Sequence, residues 1–152
     1  TWLQGKSTPN RLKLLAEWVE NGGALIMAGG YLSFQGFEAK ARFAGTAVEE
    51  VLPVTCFTHD DRAETPEGAV PQINDAKHAV LTGVPATMPA LLGYNRVQLK
   101  PGATLIASVN GDPLIAATQV GKGRSLVWTS DIGPHWCPDG CKQAIKNSDV
   151  RV

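Results

Sequence analysis

At 152 residues, with hydrophobic side chains at 43% and charged ones at 18%, the chain can form one domain with a real core and is too short for two comfortable ones. Its 14 basic and 14 acidic side chains cancel, so nothing suggests the basic patch that a nucleic acid or an anionic membrane would need. No apolar run approaches bilayer-spanning length, and the opening TWLQGKSTPN carries no signal-peptide pattern.

The opening also lacks an initiator Met and runs almost at once into a helix signal, which predicts a segment of a longer protein, with part of its own domain missing upstream. Three cysteines (Cys56, Cys137 and Cys141) cannot all pair within the chain. An odd thiol count and no secretion signal predict a reducing compartment, by default the cytoplasm.

Ser7-Thr8-Pro9 reads as a helix start, a hydroxyl cap with proline behind it. Leu12, Leu15, Ala16 and Val19 then repeat at i, i+3, i+4 and i+7, so the spacing predicts an amphipathic helix over residues 9–20. Asn21-Gly22-Gly23 ends it, and the apolar run Ala24 to Ala28 predicts a central parallel strand covered on both faces. AGTAVEEVLPV reads as a short helix turning into an extended segment. Residues 58–74, THDDRAETPEGAVPQIN, are polar and rich in Pro and Gly, which predicts a long loop. Ala103 to Val109, Pro113 to Ala117 and Arg124 to Ser130 are β-rich runs separated by the tight-turn sequences Asn110-Gly111-Asp112 and Gly121-Lys122-Gly123. They predict an antiparallel meander attached to the parallel sheet.

Several groups of residues have the chemistry of a site, and each has a plainer reading. Gly29 and Gly30, at the end of the predicted strand, suit the tight turn of a nucleophile elbow, or simply a strand end where two backbones approach closely. Asp60-Asp61-Arg62 with Glu64 and Glu67 is the densest polar cluster; carboxylate pairs bind hard cations or act as acid and base, but an adjacent arginine favours a solvated, salt-bridged loop. His59 lies near Cys56, yet Cys56 sits in an apolar, strand-like run typical of a buried, inert thiol. His135, Cys137 and Cys141 form H-x-C-x3-C, but a structural zinc site needs four ligands and no fourth stands close in sequence. No metal and no other cofactor is predicted.

The run GGALIMAGGYLSFQGFEAKARFAGTAVEEVLPV, followed by DDRAETPEG, LLGYN and GKGRSLVWTSDIGPHW, resembles the glutamine amidotransferase-like proteins of bacteria. These are related to class I glutamine amidotransferases and to the trehalose-utilisation type of domain. The resemblance covers roughly residues 10–140 and implies a flavodoxin-like α/β sandwich, with residues 1–152 forming the middle and C-terminal part of a single domain. Class I enzymes carry Gly-x-Cys-x-Gly-x-Gln at the elbow. Laid on this chain, Gly29 matches the first glycine and Gln35 the glutamine, while Ser33 replaces the second glycine and Tyr31 takes the cysteine position. A thiolate attacks an amide because its pKa can be brought near neutrality, whereas a phenol near ~10 stays protonated. The His-Pro-Glu that the enzymes place after a late strand is also absent: Ser130-Asp131 follows the last β run, and the nearest histidine is His135. The resemblance further implies an aromatic-rich C-terminal helix, where this chain has the polar tail CKQAIKNSDVRV.

Two functions follow from these residues. One is a non-catalytic module, which binds an unidentified small polar ligand or serves in assembly; a homo-oligomer fits it as well. The other is an enzyme, a hydrolase or amidotransferase, that uses Asp131, His135 and Ser33 in the same cleft. Gly29, Gly30, Tyr31, Gln35 and Trp136 are the expected binding residues, since ligands collect beyond the carboxyl ends of the strands in an open α/β sheet.

Overall fold

The computed structural model describes residues 9–137. Two α-helices and nine strands are arranged in chain order as α1 (Arg11–Glu20), β1 (Ala24–Ala28), α2 (Ala47–Val51), β2 (Val54–Cys56), β3 (Arg62–Ala69), β4 (Gln72–Ile73), β5 (Leu91–Asn95), β6 (Val97–Leu99), β7 (Thr104–Val109), β8 (Asp112–Val120) and β9 (Gly123–Trp128). The main sheet is mixed. Its order is β1-β9-β8-β7-β4, with β1 parallel to β9 and the other pairs antiparallel. Two antiparallel ribbons, β2 with β6 and β3 with β5, accompany it.

Helix α1 starts later than Ser7-Thr8-Pro9 implied. Its N-cap is Asn10, whose side-chain oxygen accepts the amides of Leu12 at 3.0 Å and Lys13 at 3.4 Å; Ser7 and Thr8 lie outside the described residues. Asparagine satisfies the orphan amides of a first turn as well as a hydroxyl does. Ala16 and Val19 are buried as the spacing predicted, and they meet Val51 of α2. In α2, Thr46 caps the amide of Glu49, and the ammonium of Lys100 donates to the carbonyls of Glu49 and Glu50 at the other end. Burial lowers the pKa of that ammonium from its ordinary value.

The register explains how the core divides. Met27, Val127 and Ala116 form one cross-strand row, buried against Phe34, Val48, Leu52, Val54, Cys56 and Val97. On the opposite face runs Ile26, Leu126 and Ala117. Leu126 and Ala117 lie against the second core cluster, built around Leu91, Tyr94, Ile106, Leu114 and Ile115, but Ile26 is 70% exposed. Strand β1 is therefore not the covered central strand that its uniformly apolar sequence predicted. Among the described residues it pairs on one side only, and the cluster that covers its neighbours does not reach Ile26.

Residues 58–74 are also not a loop, since they contain β3 and β4. Pro66 and Gly68 disguise β3, yet Arg62, Ala63 and Glu64 pair with Asn95, Tyr94 and Gly93, and an irregularity before Ala69 absorbs the disruption. The meander β7-β8-β9 is where the sequence placed it. Asn110 and Gly111 form its first turn with φ of 50° and 86°, the left-handed pair that a two-residue hairpin needs.

Gly29 joins the ends of β1 and β9. Its amide faces the carbonyls of Trp128 at 2.7 Å and Ser130 at 2.9 Å, and a Cβ there would lie 2.0 Å from the Thr129 carbonyl oxygen. Replacing Gly29 by Ala should cost about 3 kcal/mol or more in urea unfolding, because backbone has to move to admit the methyl. Gly133→Ala, which enters open space, should cost less than about 0.5 kcal/mol.

Candidate functional site

The carboxyl ends of β1 and β9 lie side by side, so the segments that leave them, Gly29–Gln35 and Ser130–Trp136, are neighbours. Three bonds extend this junction to β5: Asn95 donates its amide to the Thr129 carbonyl at 2.8 Å, the Ser130 hydroxyl donates to Gly93 O at 2.8 Å, and Leu92 donates to Trp136 O at 2.8 Å. Trp136 is fully buried, with its indole lying where a Cβ on Gly93 would stand, 2.4 Å from the ring nitrogen. Only glycine permits that approach.

Tyr31 occupies the tip of the β1 turn. Its ring centroid is 5.0 Å from His135 in an edge-to-face arrangement and 5.7 Å from Trp136. Asp131 accepts the Trp136 amide at 3.2 Å and stands 3.7 Å from Nδ1 of His135, so it both closes the turn and faces the imidazole. Its carbonyl takes the Trp128 indole N–H at 3.0 Å. Tyr31, Asp131, His135 and Trp136 are thus brought together from two segments 100 residues apart.

The other expected residues turn elsewhere. The Ser33 hydroxyl donates to the Ala28 carbonyl at 2.6 Å, and the Gln35 side chain accepts from the Ala44 amide in its own loop and donates to the Thr58 carbonyl in the segment after β2. Gly30 donates its amide to Oδ1 of Asn95 at 2.8 Å. A groove of about 510 Å³ lies between α1 and α2, lined by Lys13, Glu17, Glu20, Thr46 and Glu50 among others, and includes none of these residues.

Strand β3 adds charged residues to this surface. Arg62 and Glu64 are two apart in β3 and so share one face, a period-two signal hidden by their charge, and Asp60, just before the strand, bonds to Arg62. The Glu64 carboxylate accepts from the Trp136 indole at 3.0 Å and from the Tyr31 phenol at 3.4 Å. Arg62 pairs with both oxygens of Asp60, at 3.0 and 2.8 Å, and its guanidinium carbon lies 4.7 Å from the Tyr31 ring centroid and 4.5 Å from that of Phe37. The Arg62 hydrogen bond holds the Asp60 carboxyl below its usual range, and the same bond raises the guanidinium. Asp61 departs from the solvated loop expected of it. It is 1% exposed and accepts the amides of Gln35 at 2.8 Å and Gly36 at 2.9 Å, together with the Asn95 side-chain amide at 2.8 Å.

Cys56 is buried in β2, as its apolar setting predicted. Burial, followed by the negative charges of Glu49 and Asp61, pushes its thiol up from 9.0 to about 12. His59 is exposed, with its ring 5.1 Å from that of Phe57. Cys137 is buried beside Trp136, while Cys141 and the polar tail after residue 137 lie outside the described residues.

Residues 1–147 match the family described as "Putative glutamine amidotransferase", and the chain belongs to that glutamine amidotransferase-like family. It is similar to a cytoplasmic protein of Salmonella typhimurium at 41% identity and a TM-score of 0.83, covering 88% of this chain and 54% of that one. A second cytoplasmic protein, from Salmonella typhimurium LT2, gives 42% and 0.82, with 89% and 55% coverage. The chain therefore spans a little over half the length of these relatives. An exo-β-1,4-mannosidase from Opitutaceae bacterium strain TAV5 shares the fold alone, at 19% identity and a TM-score of 0.53 over 92% of this chain and 22% of that one. No curated protein matches. Among the described residues, no helix is long and apolar enough to cross a membrane.

Asp61→Ala should destabilise the domain by about 3 kcal/mol or more, because it strands three inward-facing donors. Asp60→Ala should cost less than about 1 kcal/mol, as expected of an accessible ion pair; chemical denaturation of both variants reads the difference. Cys56 should resist alkylation in the native protein at pH 8 and react on unfolding. Because its folded pKa is raised, its contribution to stability is intact below about 9.0 and is lost as pH climbs toward about 12. Thermal melts of the parent and Cys56→Ala across that range should converge.

Proposed function

We propose that this chain is a glutamine amidotransferase-like domain without the glutaminase step, a module that binds a small polar ligand against Tyr31, His135 and Glu64. The observation that carries the proposal is the tyrosine at the elbow position, with its hydroxyl directed to the Glu64 carboxylate. A phenol in that place supplies no thiolate, and the buried Cys56 thiol stays protonated at neutral pH, so neither offers the nucleophile that amide attack requires. What remains is a recognition surface. It presents a phenol ring and an imidazole with faces for stacking, and a half-exposed carboxylate whose orientation is fixed by a buried indole. In this reading the domain is a flavodoxin-like sandwich, its ligand lies beyond the carboxyl ends of β1 and β9, and the protein works in the cytoplasm.

The contact between Asp131 and His135 favours one second reading, an enzyme in which the carboxylate orients the imidazole as a general base. That chemistry needs a hydroxyl or an activated water beside His135, and the Ser33 hydroxyl is engaged with the Ala28 carbonyl.

Purified protein should release no ammonia from glutamine above background and should not be labelled at Tyr31 by glutamine-analogue electrophiles. A fragment library screened by amide chemical shifts should move the resonances of Tyr31, Glu64 and His135 together. Glutamine turnover abolished by Cys56→Ser would overturn the binding-module reading, and turnover abolished by His135→Ala would favour the enzyme.

A further inference from the structure

Backbone strain is concentrated in one short segment beside this surface. Among the described residues, five non-glycine residues have φ in the left-handed region, and four of them fall from Phe34 to Arg42: Phe34 at 51°, Glu38 at 49°, Ala39 at 56° and Arg42 at 59°. The fifth, Asn110, belongs to a hairpin turn that requires it. Left-handed conformations at Phe, Glu, Ala and Arg persist only where surrounding contacts impose them.

Those contacts are of two kinds. The base of the segment is fixed: Phe34 is fully buried, Phe43 donates its amide to Phe34 O and Ala41 donates to Gln35 O, both at 3.0 Å, and the buried Asp61 holds the amides of Gln35 and Gly36. The tip is held from outside. Glu38 donates its amide to Oδ2 of Asp60 at 2.9 Å, and Phe37 lies on the Arg62 guanidinium that the same Asp60 grips. Phe37 also donates its amide to the Tyr31 carbonyl at 2.8 Å, which ties the segment to the surface itself.

We propose that residues 36–42 form a strap that opens as a unit on its Phe34–Phe43 base, with Asp60 as the latch. Releasing the Glu38 amide lets Glu38, Ala39 and Arg42 relax out of the left-handed region. The same movement withdraws Phe37 and bares the Arg62 guanidinium and the adjoining edge of Tyr31. The strap thus controls access to the ligand surface described above, and its functional meaning rests on that reading.

Hydrogen exchange of the whole chain at neutral pH, followed by mass spectrometry, tests it with two variants of opposite effect. Asp60→Asn weakens the latch and should speed exchange across residues 36–42 by about threefold while leaving β7, β8 and β9 unchanged. Ala39→Gly removes strain from the closed form and should slow exchange in the same residues several-fold, the reverse of what glycine does elsewhere. Unaltered exchange in both variants, or exchange that rises in step with the sheet, overturns the strap. A fragment screen on the same samples keeps the two ideas apart. Fragments that bind a protein whose strap does not respond refute the strap alone; a responsive strap with no fragment at Tyr31 refutes the ligand surface alone.

Discussion

One buried carboxylate organises the end of the molecule where the candidate site lies. Asp61 gathers the amides of Gln35 and Gly36 and the side-chain amide of Asn95, while the other end of the Asn95 side chain takes the amide of Gly30. The turn after β1 is therefore gripped at both ends by a two-residue relay that reaches from the start of β3 to the end of β5. A buried anion is tolerable only when donors surround it, and here the donors are the backbone of the turn to be positioned. The same interaction that keeps Asp61 folded inside thus sets where Tyr31 stands. Its neighbour Asp60 faces outward and takes the accessible half of the task. Two consecutive aspartates, just before β3, face opposite ways and serve as an inner and an outer anchor of one segment.

The parts of the fold legible in the sequence are those governed by local rules. Helix α1 announced itself by apolar spacing, and β7, β8 and β9 by β-rich runs between turn sequences that close within two residues. Strands β3, β5 and β6 had no such signature. Their pairings link residues 22 to 45 positions apart, and Pro66, Gly68 and a dense charge cluster speak for a loop. The β1 run misled in the opposite sense: five apolar residues predict burial on both faces, but the sequence cannot say how far the neighbouring core extends, and Ile26 lies beyond it.

The site divides in the same way. Tyr31, Asp131, His135 and Trp136 were nameable because each follows a strand that the sequence marks, and the ends of adjacent parallel strands fall together. Arg62 and Glu64 reach the surface only through the β3–β5 pairing, and in the sequence alone they look like solvated charges. Ser33 and Gln35 follow from motif position alone; Ser33 satisfies its own turn, and Gln35 ties that segment to Thr58. A motif fixes where the backbone goes more firmly than it fixes what each side chain does there.

The burial of Trp136 has an optical consequence. Trp18 is largely exposed on α1, whereas the Trp136 indole is sealed from water, bonded to the Glu64 carboxylate and ringed by Tyr31 and His135. An indole in water emits to the red and is reached by iodide; one enclosed in the protein emits to the blue and is shielded from iodide. The protein therefore carries its own fluorophore at the surface of interest. Its emission, alongside that of the part-buried Trp128, follows events at Tyr31 and Glu64, and iodide silences the exposed Trp18.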